Sequence, residues 1–281
     1  MRVTVDDIRA KKSTQPIVMV TAYDFPTARI VDEGGVDIIL VGDTLTEVVL
    51  GYQETLAATM DTMVHHVGAV ARARPRALVV GDLPWMSFHV SVPETVVNAA
   101  RLIRAGADVV KLEGGKKRLP MVRAILDAEI PVMGHLGLTP QSVHVTGGYK
   151  VQGKTENAIH TLIDDAKALA NEGCFALVLE CIPEPVAKTI TNSIAIPTIG
   201  IGSGSGCDGQ VLVFHDLTGY GEDLSTKYVR RYASLKGEAV AAVGRYAADV
   251  RERRFPTKNE AYRLPKGITL PDLAPGGRTR Q

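Results

Sequence analysis

The amino-acid sequence predicts a single (β/α)8 barrel, also called a TIM barrel, in which eight parallel strands alternate with helices. Eight short apolar runs, rich in branched residues, alternate with segments of helical periodicity. Most of these runs end in a polar or charged residue, as strands do when their carboxyl ends form an active site. A chain of 281 residues is long enough for one such domain. A doubly wound sheet is the alternative, but the count of eight and the polar strand ends favour the barrel.

The predicted elements follow one another in a regular order. A short helix over residues 5–12 comes first, with Thr4 as its expected N-cap. The eight predicted strands cover residues 17–24, 36–43, 77–84, 109–115, 130–137, 175–183, 196–204 and 210–219. Helical segments separate most of these strands. One begins at Pro93 and ends at Gly106, because proline favours the first turn of a helix and glycine its end.

The end of the chain departs from this alternation. A long final helix is predicted over residues 227–253. Residues 264–281 contain four charges among proline and glycine, so we expect a C-terminal extension or a disordered tail there. Residues 1–263 are therefore assigned to the barrel domain.

Composition limits the classes of protein to which the chain can belong. Lys and Arg total 32 against 31 for Asp and Glu, and no basic run is interleaved with aromatic residues, so we expect no nucleic-acid partner. No apolar stretch is long enough to span a membrane, and the amino terminus lacks the apolar run of a signal peptide. The three cysteines form no CxxC pair, which fits free thiols in a reducing compartment. We therefore expect a cytoplasmic protein.

The stretch VVKLEGG, residues 109–115, is the centre of the predicted chemistry. Side chains two apart on a strand share a face, so Lys111 and Glu113 are expected to lie side by side at the end of a buried strand. Buried charges are costly unless they pair or bind a ligand. An ion pair that only stabilises the barrel is the alternative, but several other predicted strands also end in polar residues.

Three acids on consecutive strands indicate a metal site. Asp43, Asp82 and Glu113 lie at the ends of the second, third and fourth predicted strands, so they are expected to converge at the mouth of the barrel. Carboxylates that lie close together cannot all stay ionised without a cation. Because an all-oxygen set suits a hard ion, Mg2+ is predicted, with Mn2+ as an alternative.

His135 and Glu180 lie at the ends of the fifth and sixth strands and complete the predicted site. Glu180 is predicted to be a general base, with His135 as the reserve base and a structural hydrogen-bonded role for Glu180 as the alternative. Lys111 is expected to bind the carboxylate of an anionic substrate. A Schiff-base role is less favoured, because the adjacent acid keeps the lysine charged. Asp24 and Asp216 also end predicted strands, and we expect them only to cap neighbouring helices.

A series of motifs between Thr21 and Pro256 gives the chain a family resemblance. The motifs are TAYD, LVGD, GDLP, VKLEGG, GHLGLTPQSV, GGYKVQG, LVLECIP and GIGSGSGCDGQVLV. Together they are highly specific, because they occur in the same order over most of the chain. On these motifs the chain resembles the ketopantoate hydroxymethyltransferase (3-methyl-2-oxobutanoate hydroxymethyltransferase) family.

The resemblance implies a Mg2+-dependent (β/α)8 barrel that transfers a hydroxymethyl group from 5,10-methylenetetrahydrofolate to the α-keto acid 3-methyl-2-oxobutanoate. The product, ketopantoate (2-dehydropantoate), leads to pantothenate and coenzyme A. By this resemblance Glu180 is the proton acceptor, and the metal-site acids are Asp43, Asp82 and Glu113. The implied substrate-binding residues are Asp43, Thr44, Asp82, Lys111 and His135. The family also implies a homo-oligomer, often a decamer.

The chain departs from the family pattern at three places. Thr44 stands where the family usually has serine, residues 55–59 read TLAAT instead of TLPVT, and residues 259–262 read NEAY. The extra methyl group of Thr44 crowds the keto-acid pocket, so substrate preference is the property that it affects. A Mg2+-dependent carbon–carbon lyase or mutase of the phosphoenolpyruvate mutase and isocitrate lyase group is the alternative enzyme. A catalytically inactive barrel that acts as a binding protein is the alternative of a different class.

Overall fold

The computed structural model describes residues 2–221 and 226–271, and these residues contain a closed barrel of eight parallel strands. The strands pair in chain order, and the last one closes the barrel by pairing with the first. They are β1 (Ile17–Thr21), β2 (Ile38–Val41), β3 (Leu78–Asp82), β4 (Val109–Glu113), β5 (Val132–Gly137), β6 (Ala176–Glu180), β7 (Thr198–Ile201) and β8 (Gly209–Leu212). The predicted (β/α)8 barrel is therefore confirmed.

Helices alternate with the strands around most of the barrel. They are α1 (Val5–Ala10), α2 (Phe25–Glu33), α3 (Leu45–Val48), α4 (Met60–Ala71), α5 (Val92–Ala105), α6 (Leu119–Asp127), α7 (Val143–Thr146), α8 (Glu156–Glu172), α9 (Glu184–Ser193), α10 (Phe214–Thr218) and α11 (Leu235–Arg251). Thr4 caps α1 in a capping box with Asp7, as the sequence predicted. Asp24 accepts the Thr27 N–H at 2.8 Å and caps α2, so its predicted structural role is also confirmed.

The interior of the barrel is packed with apolar side chains. Every strand contributes to one buried cluster, which includes Met19, Leu40, Val80, Val109, Met133, Val178, Ile199 and Val211. Ile8 of α1 belongs to the same cluster, and Lys11, just after α1, pairs with Asp37, just before β2. Helix α1 therefore covers the amino-terminal end of the barrel. The active site of such a barrel lies at the opposite end, where the strands finish.

The eighth predicted strand, residues 210–219, is only partly a strand. Strand β8 covers Gly209–Leu212, and helix α10 follows it directly. The Thr21 hydroxyl accepts the Phe214 N–H at 3.0 Å, which satisfies a donor in the first turn of α10. The prediction that Asp216 ends a strand is therefore wrong, because this residue lies within α10.

The final helix is shorter than predicted, because it covers Leu235–Arg251 rather than residues 227–253. The Tyr232 N–H donates to the Leu217 carbonyl at 2.8 Å, so the segment before Leu235 bonds outside a helix. The chain forms one compact unit that ends at Ser234, which contains the barrel, and a second that begins at Leu235. The predicted domain boundary at residue 263 stays a prediction.

Part of the predicted C-terminal extension lies within the described residues. Residues 264–271 form neither helix nor strand, and residues 272–281 lie outside the described part of the chain. Among the helices that the structure describes, none has the length and apolar character needed to cross a membrane.

Candidate active site

Seven predicted site residues lie together at the carboxyl ends of the strands. They come from β2 to β6 and the turns that follow, and they line one cavity: Asp43, Thr44, Asp82, Lys111, Glu113, His135 and Glu180. Apart from Thr44 and Glu180, each is at most 4% exposed. The structure therefore brings the predicted residues together, while their catalytic and metal-binding roles stay predictions.

Lys111 forms the central ion pair of this cavity. Because β3 and β4 pair with Asp82 opposite Lys111, the Lys111 Nζ lies 2.8 Å from Asp82 Oδ2. Its ion-pair partner is thus on the neighbouring strand and is not Glu113 on its own strand. Burial lowers the pKa of Lys111, but three neighbouring carboxylates outweigh burial and raise the pKa above its ordinary value. Lys111 is therefore a fixed positive charge, which disfavours the Schiff-base role.

Asp43 and Asp82 form a crowded pair of carboxylic acids. The Asp43 backbone N–H donates to Asp82 Oδ2 at 3.4 Å. Burial, followed by the charges of Asp82 and Glu113, raises the pKa of Asp43 well above its usual range. Burial also raises the pKa of Asp82, although the Lys111 charge opposes the shift. Both shifts mean that one lysine does not compensate the carboxylates of this cavity.

Gln141 is a site residue that sequence reasoning missed. Its Nε2 donates to Asp43 Oδ2 at 2.9 Å and to the Leu83 carbonyl at 3.0 Å, and its backbone N–H donates to Glu113 Oε2 at 3.2 Å. The side chain is buried, and Oε1 has no hydrogen-bond partner. Gln141 lies in a short turn, Pro140–Ser142, beyond the end of β5, where strand periodicity gives no signal. Its presence in the motif GHLGLTPQSV was the one available indication.

His135 links Glu113 to Glu180. Its Nδ1 lies 3.4 Å from Glu113 Oε1, and its Nε2 lies 3.2 Å from Glu180 Oε2. The contact with Glu180 is ionic, because Nε2 makes no hydrogen bond of good geometry. Burial and the Lys111 charge lower the pKa of His135, but the two glutamates outweigh them and raise it to about 9. Burial raises the pKa of Glu113, but His135, the Lys111 charge and the Gln141 N–H together outweigh burial and lower it.

The donor set around Asp43 and Asp82 fits a small hard cation. Asp82 Oδ1 and Gln141 Oε1 are buried oxygens without a partner, which is costly unless a ligand binds them. Glu113 is already engaged, since its two oxygens face His135 and the Gln141 N–H. Within residues 2–221 and 226–271, no group of three His, Cys, Asp or Glu side chains is arranged to hold a metal. Two carboxylates completed by substrate oxygens and water are the arrangement that Mg2+ commonly adopts.

The mouth of the cavity carries the Thr44 hydroxyl and a further acid, Glu47. Thr44 precedes α3 without capping it, so its hydroxyl can face the cavity that the residue lines. Burial, followed by the charges of Asp216, Glu180 and Glu54, raises the pKa of Glu47 to about 6. Sequence reasoning missed Glu47 because it lies in the four-residue helix α3, away from any predicted strand end.

The fold and this cavity define a barrel enzyme whose polar site lies at the carboxyl ends of its strands. The sequence model of the ketopantoate hydroxymethyltransferase family matches residues 2–258, and the chain belongs to this family. A relative from Oleidesulfovibrio alaskensis is 53% identical over 265 residues, which cover 94% of this chain and 92% of the relative. A relative from Moorella thermoacetica is 52% identical over 264 residues, which cover 93% and 98% of the two chains. Both relatives are named 3-methyl-2-oxobutanoate hydroxymethyltransferase, so the predicted family and enzyme class are confirmed.

Solved structures with the same fold are much more distant in sequence. A 2,3-dimethylmalate lyase of the phosphoenolpyruvate mutase and isocitrate lyase superfamily matches with a TM-score of 0.58 and 17% identity, over 96% of this chain and 92% of the lyase. A phosphonopyruvate hydrolase in complex with oxalate and Mg2+ matches with a TM-score of 0.58 and 11% identity, over 92% and 93%. At these identities the likeness shows the fold alone, so it lends the alternative lyase or mutase activity no further support.

Proposed function

We propose that this chain transfers a hydroxymethyl group from 5,10-methylenetetrahydrofolate to 3-methyl-2-oxobutanoate, forming ketopantoate for pantothenate and coenzyme A biosynthesis. The observation that carries the proposal is the convergence of Asp43, Asp82, Lys111 and Glu180 on one cavity. The names of the relatives at about half identity support the keto acid as substrate. The folate donor follows from the family resemblance.

Fixed charges in the cavity fit the binding of an α-keto acid. Lys111 is buried and charged, so its ammonium group pairs with the substrate carboxylate and holds it at the carboxyl end of β4. Thr44 contacts the branched end of the substrate, where its methyl group narrows the space. Gln141 holds the Asp43 carboxylate in place through the 2.9 Å hydrogen bond.

Asp43 and Asp82 would hold Mg2+, with Glu113 near it as predicted. When bound, Mg2+ supplies a Lewis acid that makes the C3 proton of the keto acid more acidic. Because both aspartates lie at strand ends in a packed barrel, they are already in position before substrate binds.

Glu180 is the group that accepts the C3 proton. It is more exposed than the other acids, and its Oε2 lies 3.2 Å from His135 Nε2. His135 lies between two carboxylates, which raise its pKa to about 9, so the ring is protonated at neutral pH and cannot itself accept the proton. The resulting C3 carbanion adds to the methylene carbon of the co-substrate. Both bonds from this carbon to the folate nitrogens break, water supplies the hydroxyl group, and tetrahydrofolate leaves with the C3 proton and the second proton of the water.

Transfer of a labelled carbon tests this proposal. Purified protein is incubated with 3-methyl-2-oxobutanoate and 5,10-methylenetetrahydrofolate whose methylene carbon is 13C, and the product is followed by NMR. We expect the label in the hydroxymethyl group of ketopantoate, and no label when folate is omitted or a chelator removes Mg2+. Consumption of the keto acid without folate would contradict the proposal and favour the lyase or mutase. Absence of both turnover and Mg2+ binding would favour the inactive barrel.

Two further expectations belong to this proposal. We propose a cytoplasmic location, which the three free thiols Cys174, Cys181 and Cys207 support. We also propose a homo-oligomer, a decamer by family resemblance. Size-exclusion chromatography with light scattering checks the second expectation, because a mass of one chain would contradict it.

A further inference from the structure

A group of basic side chains lies at the same end of the barrel as the candidate site. His89 follows β3, and Lys117 and Arg118 lie in the turn Lys116–Arg118 that follows β4. His89 and Arg118 both lie against the ring of Phe88, and burial, then the charges of Arg118 and Lys117, lowers the pKa of His89 to about 4. His89, Lys117 and Arg118 are called the cationic cluster below.

Arg118 is the unusual member of the cationic cluster. Its guanidinium lies over the ring of buried Phe88, with Cζ 5.2 Å from the ring centre, and its Nε is buried without a hydrogen-bond partner. Burial lowers the pKa of Arg118, and no nearby carboxylate opposes the shift in the described residues. A partly desolvated guanidinium that lacks an anion is incompletely satisfied, and a carboxylate or phosphate is the partner that its geometry suits.

Neighbouring cations differ from the cationic cluster because they are paired. Lys116 donates to Asp164 at 3.1 Å, and Arg123 makes two hydrogen bonds with Glu172. In the part of the chain that the structure describes, Lys117 and Arg118 have no carboxylate within ion-pair distance, although they belong to the same turn as Lys116. The turn therefore offers two unpaired positive charges, one of which is held rigidly by Phe88.

The cationic cluster also lies close to the candidate site. A Cβ added at Gly114, the residue directly after Glu113, would lie 3.0 Å from Arg118 Cγ, and the charge of Glu113 raises the pKa of His89 against the larger effect of burial. Other parts of the mouth are acidic, because Glu47 lies near Glu180, Glu54 and Asp216. An anionic segment of a ligand that enters the cavity is therefore repelled by one part of the mouth and attracted to the cationic cluster.

We infer that the cationic cluster binds the glutamate carboxylates of the folate co-substrate, an inference that rests on the proposed function. The one-carbon unit sits on the pterin end of the folate, which must reach the cavity near Glu180. The rest of the molecule leaves through the mouth and ends in carboxylates. Arg118 and Lys117 bind these carboxylates, while the neutral His89 ring packs beside Phe88, with ring centres 4.2 Å apart.

Direct binding measurements test this inference. Calorimetry under anaerobic conditions compares tetrahydrofolate with 6-methyltetrahydropterin, which lacks the glutamate tail, in the presence of Mg2+ and keto acid. The proteins are the wild type, Arg118→Met, Lys117→Ala and the matched control Lys116→Ala. Methionine keeps an apolar stem against Phe88, and Lys117 is exposed, so neither variant should unfold. We expect each of these two variants to bind tetrahydrofolate about tenfold more weakly, the loss of one charge-assisted hydrogen bond, while the control does not change.

Binding of 6-methyltetrahydropterin should be the same in all four proteins. Equal tetrahydrofolate affinity in all four would overturn the inference, and so would an equal loss for both ligands. Inorganic phosphate could bind to the cationic cluster while the affinity for tetrahydrofolate is the same in the variants as in the wild type. The cluster would then be an anion site unrelated to folate, which also overturns the inference. Variants that bind tetrahydrofolate normally and still transfer the labelled carbon would leave the proposed function intact. If the wild type transfers no carbon while the two variants bind tetrahydrofolate more weakly than the wild type does, the result would support the tail site and contradict the proposed function.

Discussion

The two ends of the barrel use the same residue type, aspartate, in opposite ways. At the amino-terminal end, Asp37, Asp108 and Asp208 each come directly before a strand and accept a backbone N–H from a neighbouring strand, at 2.9 Å in every case. Each also pairs with a cation, which is Lys11, Arg2 and Lys12 respectively. Their hydrogen-bonding capacity is used by the protein itself.

The carboxyl end is left incomplete by comparison. Asp82 Oδ1 and Gln141 Oε1 are buried without partners, and the pKa values of Asp43 and Asp82 are raised by burial. Completed networks stabilise a fold, whereas buried polar atoms without partners are costly and are maintained where a ligand will satisfy them. The comparison therefore predicts that substitutions at one end cost stability and that substitutions at the other end cost activity.

Replacing one aspartate at each end by asparagine is the sharpest test of this difference. Asp82→Asn keeps the size of the side chain but removes the charge that faces Lys111 and the proposed cation. We expect turnover to fall by on the order of 10⁴-fold, because a Lewis acid contributes several kcal/mol to the barrier. Circular dichroism should show an intact fold. The matched control Asp108→Asn should keep its turnover, and an equal loss of turnover in both variants would remove the distinction between the ends.

Asp208→Ala probes the amino-terminal end alone. The Asp208 side chain is 4% exposed, pairs with Lys12 at 2.8 Å and accepts the Ser13 N–H at 3.0 Å. Its loss leaves buried donors and a cation unpaired, so the free energy of unfolding should fall by about 3 kcal/mol. Urea denaturation measures the change. Glu33→Ala, which breaks an exposed pair with Arg29, should change it by less than about 1 kcal/mol. A weaker Mg2+ affinity in Asp208→Ala would contradict the proposed division.

Gln141→Leu tests whether Gln141, one of the two residues that sequence reasoning missed, orients the proposed metal site. Leucine fills the space but cannot hold the Asp43 carboxylate, so Mg2+ should bind about 10–100-fold more weakly, as when an outer partner of a metal ligand is removed. Calorimetric titration with Mg2+ measures the affinity without relying on turnover. Gln15→Leu, an exposed position just before β1, is the control and should not change the affinity. Unchanged Mg2+ binding in Gln141→Leu would limit this residue to packing.

The dependence of stability on pH gives the smallest expected effect. The pKa of Asp43 is raised in the folded protein, so its contribution to stability is fully present below about pH 4, the ordinary pKa of Asp, and is lost as the pH rises through the raised pKa. Mg2+ favours the ionised carboxylate and should remove this loss. Denaturation midpoints between about pH 5 and about pH 8, with and without Mg2+, therefore should diverge as the pH rises. Parallel curves would show that Mg2+ does not act on these acids.

Sequence reasoning found the fold and most of the site because both depend on local pattern. Apolar runs identify strands, and polar residues at their ends, such as Asp82 and His135, fall at one edge of a parallel barrel whatever the tertiary detail. The pairing of Lys111 with Asp82 instead depends on the register between β3 and β4, which no local pattern carries. The apolar run before Asp216 has the pattern of a strand, but the hydroxyl of Thr21, far away in the sequence, helps to begin a helix there. Gln141 and the cationic Arg118 lie in turns, where their partners are set by tertiary packing.

Removal of the C3 proton of the keto acid by Glu180 is the step on which the proposed chemistry of the carboxyl end depends. Wild-type protein and Glu180→Gln are incubated in heavy water with 3-methyl-2-oxobutanoate and Mg2+, without folate, and the C3 proton is followed by NMR. We expect Mg2+-dependent exchange in the wild type and a loss of about 10³-fold in the variant, which is within the range for general-base catalysis. Exchange at the wild-type rate in Glu180→Gln would contradict the assignment of the base. If the wild-type protein binds the keto acid but does not exchange its C3 proton, the proposal that this proton is removed before folate binds would be contradicted.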